Sequence, residues 1–146
     1  FNVYGPGMNL NDYRIIPNIT KSILHNDTLK IYDKGNQTRT YCHIVDAMNG
    51  FIRAIFKEED FNVYNIGNDK NEINVKELVK ISENGISNKI KKKITKYPDE
   101  YPADQPNRRC PDISKAKKNL NYKPVVHIEE GLKRHYNFSI AQFKNW

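Results

Sequence analysis

Few side chains in this sequence could carry out chemistry unaided. His25, His43, His127 and His135 fall at no metal-ligand spacing, so no metal is expected. Cys42 and Cys110 form neither a metal-binding pair nor a disulfide framework. They read as incidental thiols of a reducing, cytoplasmic compartment. No tyrosine is followed four residues later by lysine; Tyr97 meets Tyr101 at that spacing. Asp46 and Asp112 each open an apolar-periodic run, so they read as helix caps rather than as acids or bases. No catalytic residue is assigned. What remains is positive charge: 24 Lys and Arg against 17 Asp and Glu give +7, and an anionic partner follows. Much of the excess lies in Lys89 to Lys96 and Lys115 to Lys118, where a solvated face is the ordinary explanation. The absence of interleaved aromatic and basic residues argues against nucleic acid, and no apolar run approaches the roughly 20 residues of a membrane span.

The elements that must position these groups can be read from periodicity and caps. Phe1 to Val3 reads as the end of a buried strand, broken by Gly5-Pro6-Gly7. Pro17 suits the first position of a helix through Ile19, Ile23 and Leu24, because proline lacks only a donor that would be orphaned there. Leu29 to Tyr32 is a short strand, residues 33–36 a turn, and Thr38 to Ile44 a second strand. Asp46 then caps a helix in which Ala47, Phe51, Ile52, Ala54, Ile55 and Phe56 recur at helical spacing. Phe61 to Gly67 reads as a buried strand. Asn74 and Glu77 form a capping box ahead of Val75, Leu78, Val79 and Ile81. Ile90 to Ile94 is read as a strand on a basic surface. The stretch from Tyr97 to Pro111 holds four prolines, and a loop of that length in a compact domain usually serves a function. Short and long helices follow, from Ile113 to Leu120 and from Ile128 towards Phe143. The order is α/β without a complete alternating sheet, so edge strands need partners outside the chain. With 146 residues there is one domain, and a start inside a strand-like stretch makes a longer parent chain the expectation.

Six segments carry a resemblance. They are FNVYGPGM (Phe1 to Met8), IPN (Ile16 to Asn18), LKIYDKGNQTRTY (Leu29 to Tyr41), YNIGN (Tyr64 to Asn68), DQPNRRCPDISKAKKNL (Asp104 to Leu120) and KPVVHIEEGL (Lys123 to Leu132). In this order and spacing the chain resembles the C-terminal half of the extended short-chain dehydrogenase/reductase family, the NAD-dependent epimerases and dehydratases. Among its members the likeness is greatest to those that decarboxylate UDP-glucuronate, with the dTDP-glucose 4,6-dehydratases and UDP-sugar 4-epimerases nearby. The resemblance implies a Rossmann-type fold whose NAD-binding core lies outside residues 1–146, which form the sugar-nucleotide-binding region. It also implies NAD as cofactor, a UDP- or dTDP-sugar as substrate, and a homodimer for the intact enzyme. The family's glycine-rich NAD turn and Tyr-x-x-x-Lys pair are absent here, so this chain alone is expected to be inactive.

Specific residues inherit roles from that resemblance. Arg39 and Arg109 match the positions that hold the diphosphate, where a planar guanidinium donates two parallel hydrogen bonds. Arg108 is a neighbour whose role the sequence does not separate. Asn2 matches the asparagine that bonds sugar or diphosphate near the nicotinamide, and Phe1 would lie against that ring. Pro17 and Asn18 match the start of a helix covering the nucleotide, where free backbone N–H groups favour phosphate. The backbone of Leu29, Ile31 and Tyr32 would bond the base edge, with the Tyr32 ring beside it. Gly7, Tyr13 and Asp33 depart from the family pattern, which commonly has arginine, glycine and glycine there. Those departures leave the substrate class intact and the reaction type open. A basic phosphate- or nucleic-acid-binding module without chemistry is the alternative that +7 would also fit.

Overall fold

The computed structural model describes residues 1–57, 61–70, 72–99 and 106–144. Among the described residues seven short strands and five α-helices follow in the order β1 (Val3–Tyr4), α1 (Ile15–His25), β2 (Leu29–Tyr32), β3 (Thr38–Arg39), β4 (Cys42–His43), α2 (Ile44–Ile55), β5 (Ile73–Asn74), α3 (Val75–Ile86), β6 (Lys92–Thr95), β7 (Arg108–Arg109), α4 (Ser114–Leu120) and α5 (Ile128–Lys144). The chain is α/β, with its strands in three small sheets. β1 runs parallel to β4, β2 runs parallel to β6, and β3 lies between antiparallel β5 and parallel β7.

Two apolar clusters hold these pieces together. The larger joins α1, β2, α3 and α5 through Ile16, Ile19, Leu29, Ile31, Leu78, Val79, Leu132 and Tyr136. Leu29 and Ile31 alternate inward along β2 while Lys30 points out, the period of two expected of a half-buried strand. The smaller cluster joins β4, α2 and α4 through Cys42, Ala47, Ile66, Ala116, Leu120 and Tyr122. The capping box on α3 forms as its sequence requires: the Asn74 side chain accepts from the Glu77 amide, and the Glu77 carboxylate accepts from the Asn74 amide.

Several expectations are corrected. α1 starts at Ile15, so Pro17 sits third in the helix rather than first. Any position in the first turn suits it, because those N–H groups have no intrahelical acceptor. The run from Thr38 to Ile44 is two strands rather than one, and Thr40 and Tyr41 lie between them. Phe61 to Gly67 joins no sheet among the described residues. Asp46 does not cap α2. His43 does, its Nδ1 accepting from the Val45 amide at 3.3 Å. Asp46 is buried instead and accepts the Val125 and Val126 amides at 3.0 Å each, which fastens the approach to α5. Of the residues that recur at helical spacing in α2, Phe51, Ile52, Ile55 and the adjoining Phe56 face solvent, while Ala47 is fully buried.

The turn after β2 keeps a left-handed backbone at Asp33, one of the departures from the family pattern. Asp33 and Lys34 both adopt positive φ, 46° and 59°, the left-handed region where glycine is unstrained. Gly35 follows at φ 68°, where a Cβ would stand 2.8 Å from Ile31 Cγ2.

Candidate nucleotide-binding cleft

The three-stranded sheet decides which arginines share a surface. Thr38 is opposite Arg108 and Arg39 is opposite Arg109 in the β3–β7 register. Successive side chains on a strand point to opposite faces, so Arg39 and Arg109 share one face and Thr38 and Arg108 the other. On the Thr38 side a carboxylate closes the arrangement. Glu72 accepts from the Thr38 hydroxyl and from Arg108, whose Nε and Nη2 lie 3.0 and 2.8 Å from Oε2. The hydroxyl and guanidinium together hold the Glu72 carboxyl below its ordinary range. The two arginines that the sequence could not separate therefore divide the work. Arg108 belongs to an internal ion pair, and Arg109 stands beside Arg39 on the cleft side.

That cleft has a volume of about 230 Å³. Its walls include Asn2, Tyr4, Arg14, Ile15, Ile16, Gln37, Arg39, Tyr41, Tyr97 and Arg109. Asn2 reaches it from the start of β1, in a left-handed conformation (φ 48°) and held by a 2.8 Å bond from Nδ2 to the Thr40 carbonyl. Arg39 is braced by a 2.7 Å bond to its neighbouring Thr38 carbonyl. Tyr41 and Tyr4 form the floor, rings edge to face at 6.4 Å, and burial pushes both phenols above their ordinary pKa. They stay neutral at physiological pH and add no negative charge beneath the cations.

The N-terminus of α1 opens on the same space. No side chain caps it, no acidic residue lies in its first turn, and Ile15 and Ile16 line the cleft. Its positive dipole end thus adds to the arginines. Arg14, at the cap position, lines the cleft while its Nε donates to Asp12 at 2.8 Å; that hydrogen bond lowers the Asp12 pKa.

Of the residues singled out from sequence, Asn2, Arg39 and Arg109 meet at this cleft. Pro17 and Asn18 lie one turn behind its wall. Pro17 is buried, and Asn18 donates through Nδ2 to the Tyr13 and Arg14 carbonyls, tying the loop to the helix. Leu29, Ile31 and Tyr32 do not line the cleft, and the side chains of Leu29 and Ile31 are buried in the core. Among the described residues β2 pairs only with β6, so its other edge has no strand partner. Tyr32 connects to the cleft through Tyr97, stacked on it at 5.1 Å between centroids. Phe1 is outside, half exposed and packed near Gly67.

Sequence reasoning missed Gln37, Tyr97 and Arg14. Gln37 donates to the Tyr97 hydroxyl at 3.0 Å, which fixes the tyrosine at the mouth of the cleft. A signal for Tyr97 was present, since it opens the long proline-rich loop; Gln37 and Arg14 carry none beyond their polarity.

A cleft walled by paired arginines and a helix N-terminus presents positive charge to an anion, in an α/β chain with the epimerase and dehydratase fold. The chain belongs to the GDP-mannose 4,6 dehydratase family, whose model matches residues 1–135. It is 37% identical over 132 residues to UDP-glucuronic acid decarboxylase 3 of Arabidopsis thaliana, covering 90% of this chain and 37% of that protein. The structure superposes on UDP-glucuronic acid 4-epimerase of Bacillus cereus, solved with UDP-glucuronic acid and NAD. The TM-score is 0.86 at 27% identity, over 97% of this chain and 44% of the epimerase. A dTDP-glucose 4,6-dehydratase of Bacillus anthracis shares the fold at a TM-score of 0.83 and 22% identity. The chain thus spans well under half the length of these relatives.

Proposed function

We propose that this chain is the sugar-nucleotide clamp of an NAD-dependent enzyme that modifies nucleoside diphosphate sugars, acting on a UDP-sugar in the manner of a UDP-glucuronate decarboxylase. One observation carries the reading: Arg39 and Arg109 are in register on adjacent parallel strands, facing one cleft. Like charges directly opposite destabilise a sheet, and an anion between them reverses the sign of that interaction. A diphosphate is the matching ligand, since each guanidinium can donate two parallel bonds to it. The α1 N-terminus supplies further N–H donors, and Asn2 can both donate to and accept from a sugar hydroxyl. The outer edge of β2, beside the stacked Tyr32 and Tyr97, suits backbone contact with a uracil or thymine.

NAD fits this chain poorly. Among the described residues the positive-φ glycines are Gly5, Gly7 and Gly35, and none joins a strand directly to a helix N-terminus. Phe1 is the one residue assigned toward the nicotinamide. The reading therefore places the dinucleotide mainly on residues outside 1–146, with the hydride chemistry that NAD supplies when bound. It takes the whole enzyme as a cytoplasmic homodimer, as the family resemblance implies, and this chain alone as inactive.

Thermal unfolding with and without UDP tests the clamp. UDP should raise Tm at concentrations above its Kd, and Arg109→Ala should remove the shift. Tight oligonucleotide binding with no shift from any nucleoside diphosphate would instead favour a basic binding module.

A further inference from the structure

The lysines of β6 are not one solvated run, because the strand sorts them by face. β2 and β6 pair with Leu29 opposite Lys92, Lys30 opposite Lys93, Ile31 opposite Ile94 and Tyr32 opposite Thr95. Side chains alternate along a strand and paired residues share a face, so Lys92 lies on the side of buried Leu29 and Ile31. There it meets a carboxylate: its Nζ is 2.8 Å from Glu83, a buried acid that also accepts the Ile90 amide. Lys93 takes the opposite face with Lys30. Lys91 joins them, since its carbonyl accepts the Leu29 amide at 2.8 Å and carries the ladder one residue further. All three are exposed, and among the described residues none meets a carboxylate.

That bare face leads to the cleft. Tyr32 is two residues beyond Lys30 on the same side, its ring stacked on Tyr97, and Tyr97 lines the cleft with Arg39 and Arg109. At about 3.3 Å per residue, the Lys30–Lys93 rung is roughly 7 Å from the Tyr32 rung and Lys91 roughly 7 Å further. Those distances compare with a Debye length of about 10 Å at 0.1 M salt. Burial raises the pKa of the Tyr97 phenol, Asp33 adds to the rise and Arg39 opposes it, so an acid at this junction is set against a cation. Lys30 and Lys93, like charges directly opposite, destabilise their own sheet. Lysines on an edge strand also discourage stray pairing. That role asks for no particular face, whereas here the side without a carboxylate is the side that ends at the cleft.

We propose that the face formed by Lys30, Lys91 and Lys93 is a landing surface that steers a nucleoside diphosphate toward the cleft and does not hold it there. This rests on the reading above, in which the cleft binds that ligand. Charge of one sign beside a cleft raises the local concentration of the opposite ion, and the ligand is an anion. Attraction that acts before contact speeds association. The bonds from Arg39 and Arg109 act after contact and set dissociation.

Stopped-flow binding of a fluorescent UDP analogue to the chain tests this. With Lys30→Gln, Lys91→Gln and Lys93→Gln combined, association should slow about tenfold at about 10 mM salt, where the Debye length is about 30 Å. At about 1 M salt the difference should shrink below about twofold. Dissociation should stay within about twofold. Lys30→Arg, Lys91→Arg and Lys93→Arg together should keep the parent association rate, because the charge is unchanged. Arg109→Ala should instead mainly speed dissociation. An unchanged association rate at low salt, in a variant that still binds, overturns the landing surface and leaves the clamp standing. Dissociation accelerated as much as by Arg109→Ala overturns it by making the lysines part of the grip. A parent chain that binds no UDP removes both readings. Loss of oligonucleotide binding with UDP kinetics unchanged overturns it in favour of a polyanion site.

Discussion

The cleft face of β3 and β7 and the outer arc of α2 are both surfaces that this chain leaves open, in opposite physical currencies. At the cleft, Arg39 and Arg109 stand side by side at the N-terminus of α1, so positive potential accumulates and an anion is the natural complement. On α2, Ile55 and Phe56 are mostly in water and carry no charge, so another apolar surface is the complement. The same polypeptide supports each from behind with a carboxylate: Glu72, in an exposed pair with Arg108 and bonded to Thr38, behind the cleft, and the buried Asp46 behind α2. One surface should answer to ions and nucleotides, and the other to partners and to the solvent's cohesion.

The two sides of α2 give the largest expected contrast. Asp46→Ala removes a carboxylate that accepts two backbone amides, and hydrogen bonds to charged groups are worth about 1.5–3 kcal/mol each. A loss of about 3 kcal/mol or more is expected, seen as a lower denaturation midpoint. Ile55→Glu, on the outward side, should change the midpoint of the isolated chain by no more than about 0.5 kcal/mol. Similar costs for both would mean that the outer arc is already packed, and the comparison would fail.

Between the two faces of the β3–β7 pair the expected contrast is smaller but sharper. Arg39→Ala should weaken UDP binding roughly 10- to 100-fold, the loss of about 1.5–3 kcal/mol of charge-assisted bonding. Arg108→Ala breaks an exposed pair with Glu72 and should leave affinity within about twofold, since surface pairs contribute little. Titration calorimetry at two salt concentrations separates them further: the Arg39-dependent part should fall as salt rises, whereas sulfate should promote contact through α2. Equal losses from the two substitutions would show that the two faces of the β3–β7 pair are not functionally distinct.

The parts of this arrangement that could be read from sequence were local. The α3 capping box needs only Asn74 and Glu77 three residues apart, and β2 announces itself through alternating Leu29 and Ile31. Arg39 and Arg109 come together because their motifs fix them on strands, although 70 residues of chain separate the two positions. Periodicity identified the apolar face of α2 but not which way it turns. Amphipathicity reports that a face seeks cover, and only the fold shows that Ala47 and Gly50, too small to stand out by pattern, occupy the inside. Asp46 was misread for a related reason. A carboxylate near a helix start looks like a cap, and its real partners, the Val125 and Val126 amides, are about 80 residues away.

Acid should act on both regions, and unequally. His43 begins α2, and His135 backs the cleft, its Nδ1 donating to the Gly5 carbonyl at 2.8 Å and its Nε2 meeting the Thr20 hydroxyl at 2.9 Å. Burial lowers the pKa of each below the ordinary 6.5. The unfolded chain therefore binds more protons than the folded one over this range. Stability is complete above about 6.5 and falls as pH drops through the folded values. The consequences of protonation differ. Nδ1 of His43 must keep its lone pair to accept the Val45 amide, so its imidazolium loses the α2 cap, worth about 1 kcal/mol. The His135 imidazolium keeps its bond to Gly5 and gains a second donor, Nε2–H, toward the Thr20 oxygen. Between pH 7.5 and 5.5, amides in the first turn of α2 should lose hydrogen-exchange protection before those of α1. His43→Asn, which keeps a capping acceptor without a titrating ring, should remove that early loss. Faster exchange appearing first in α1 would reverse the order and place the acid-sensitive contact behind the cleft.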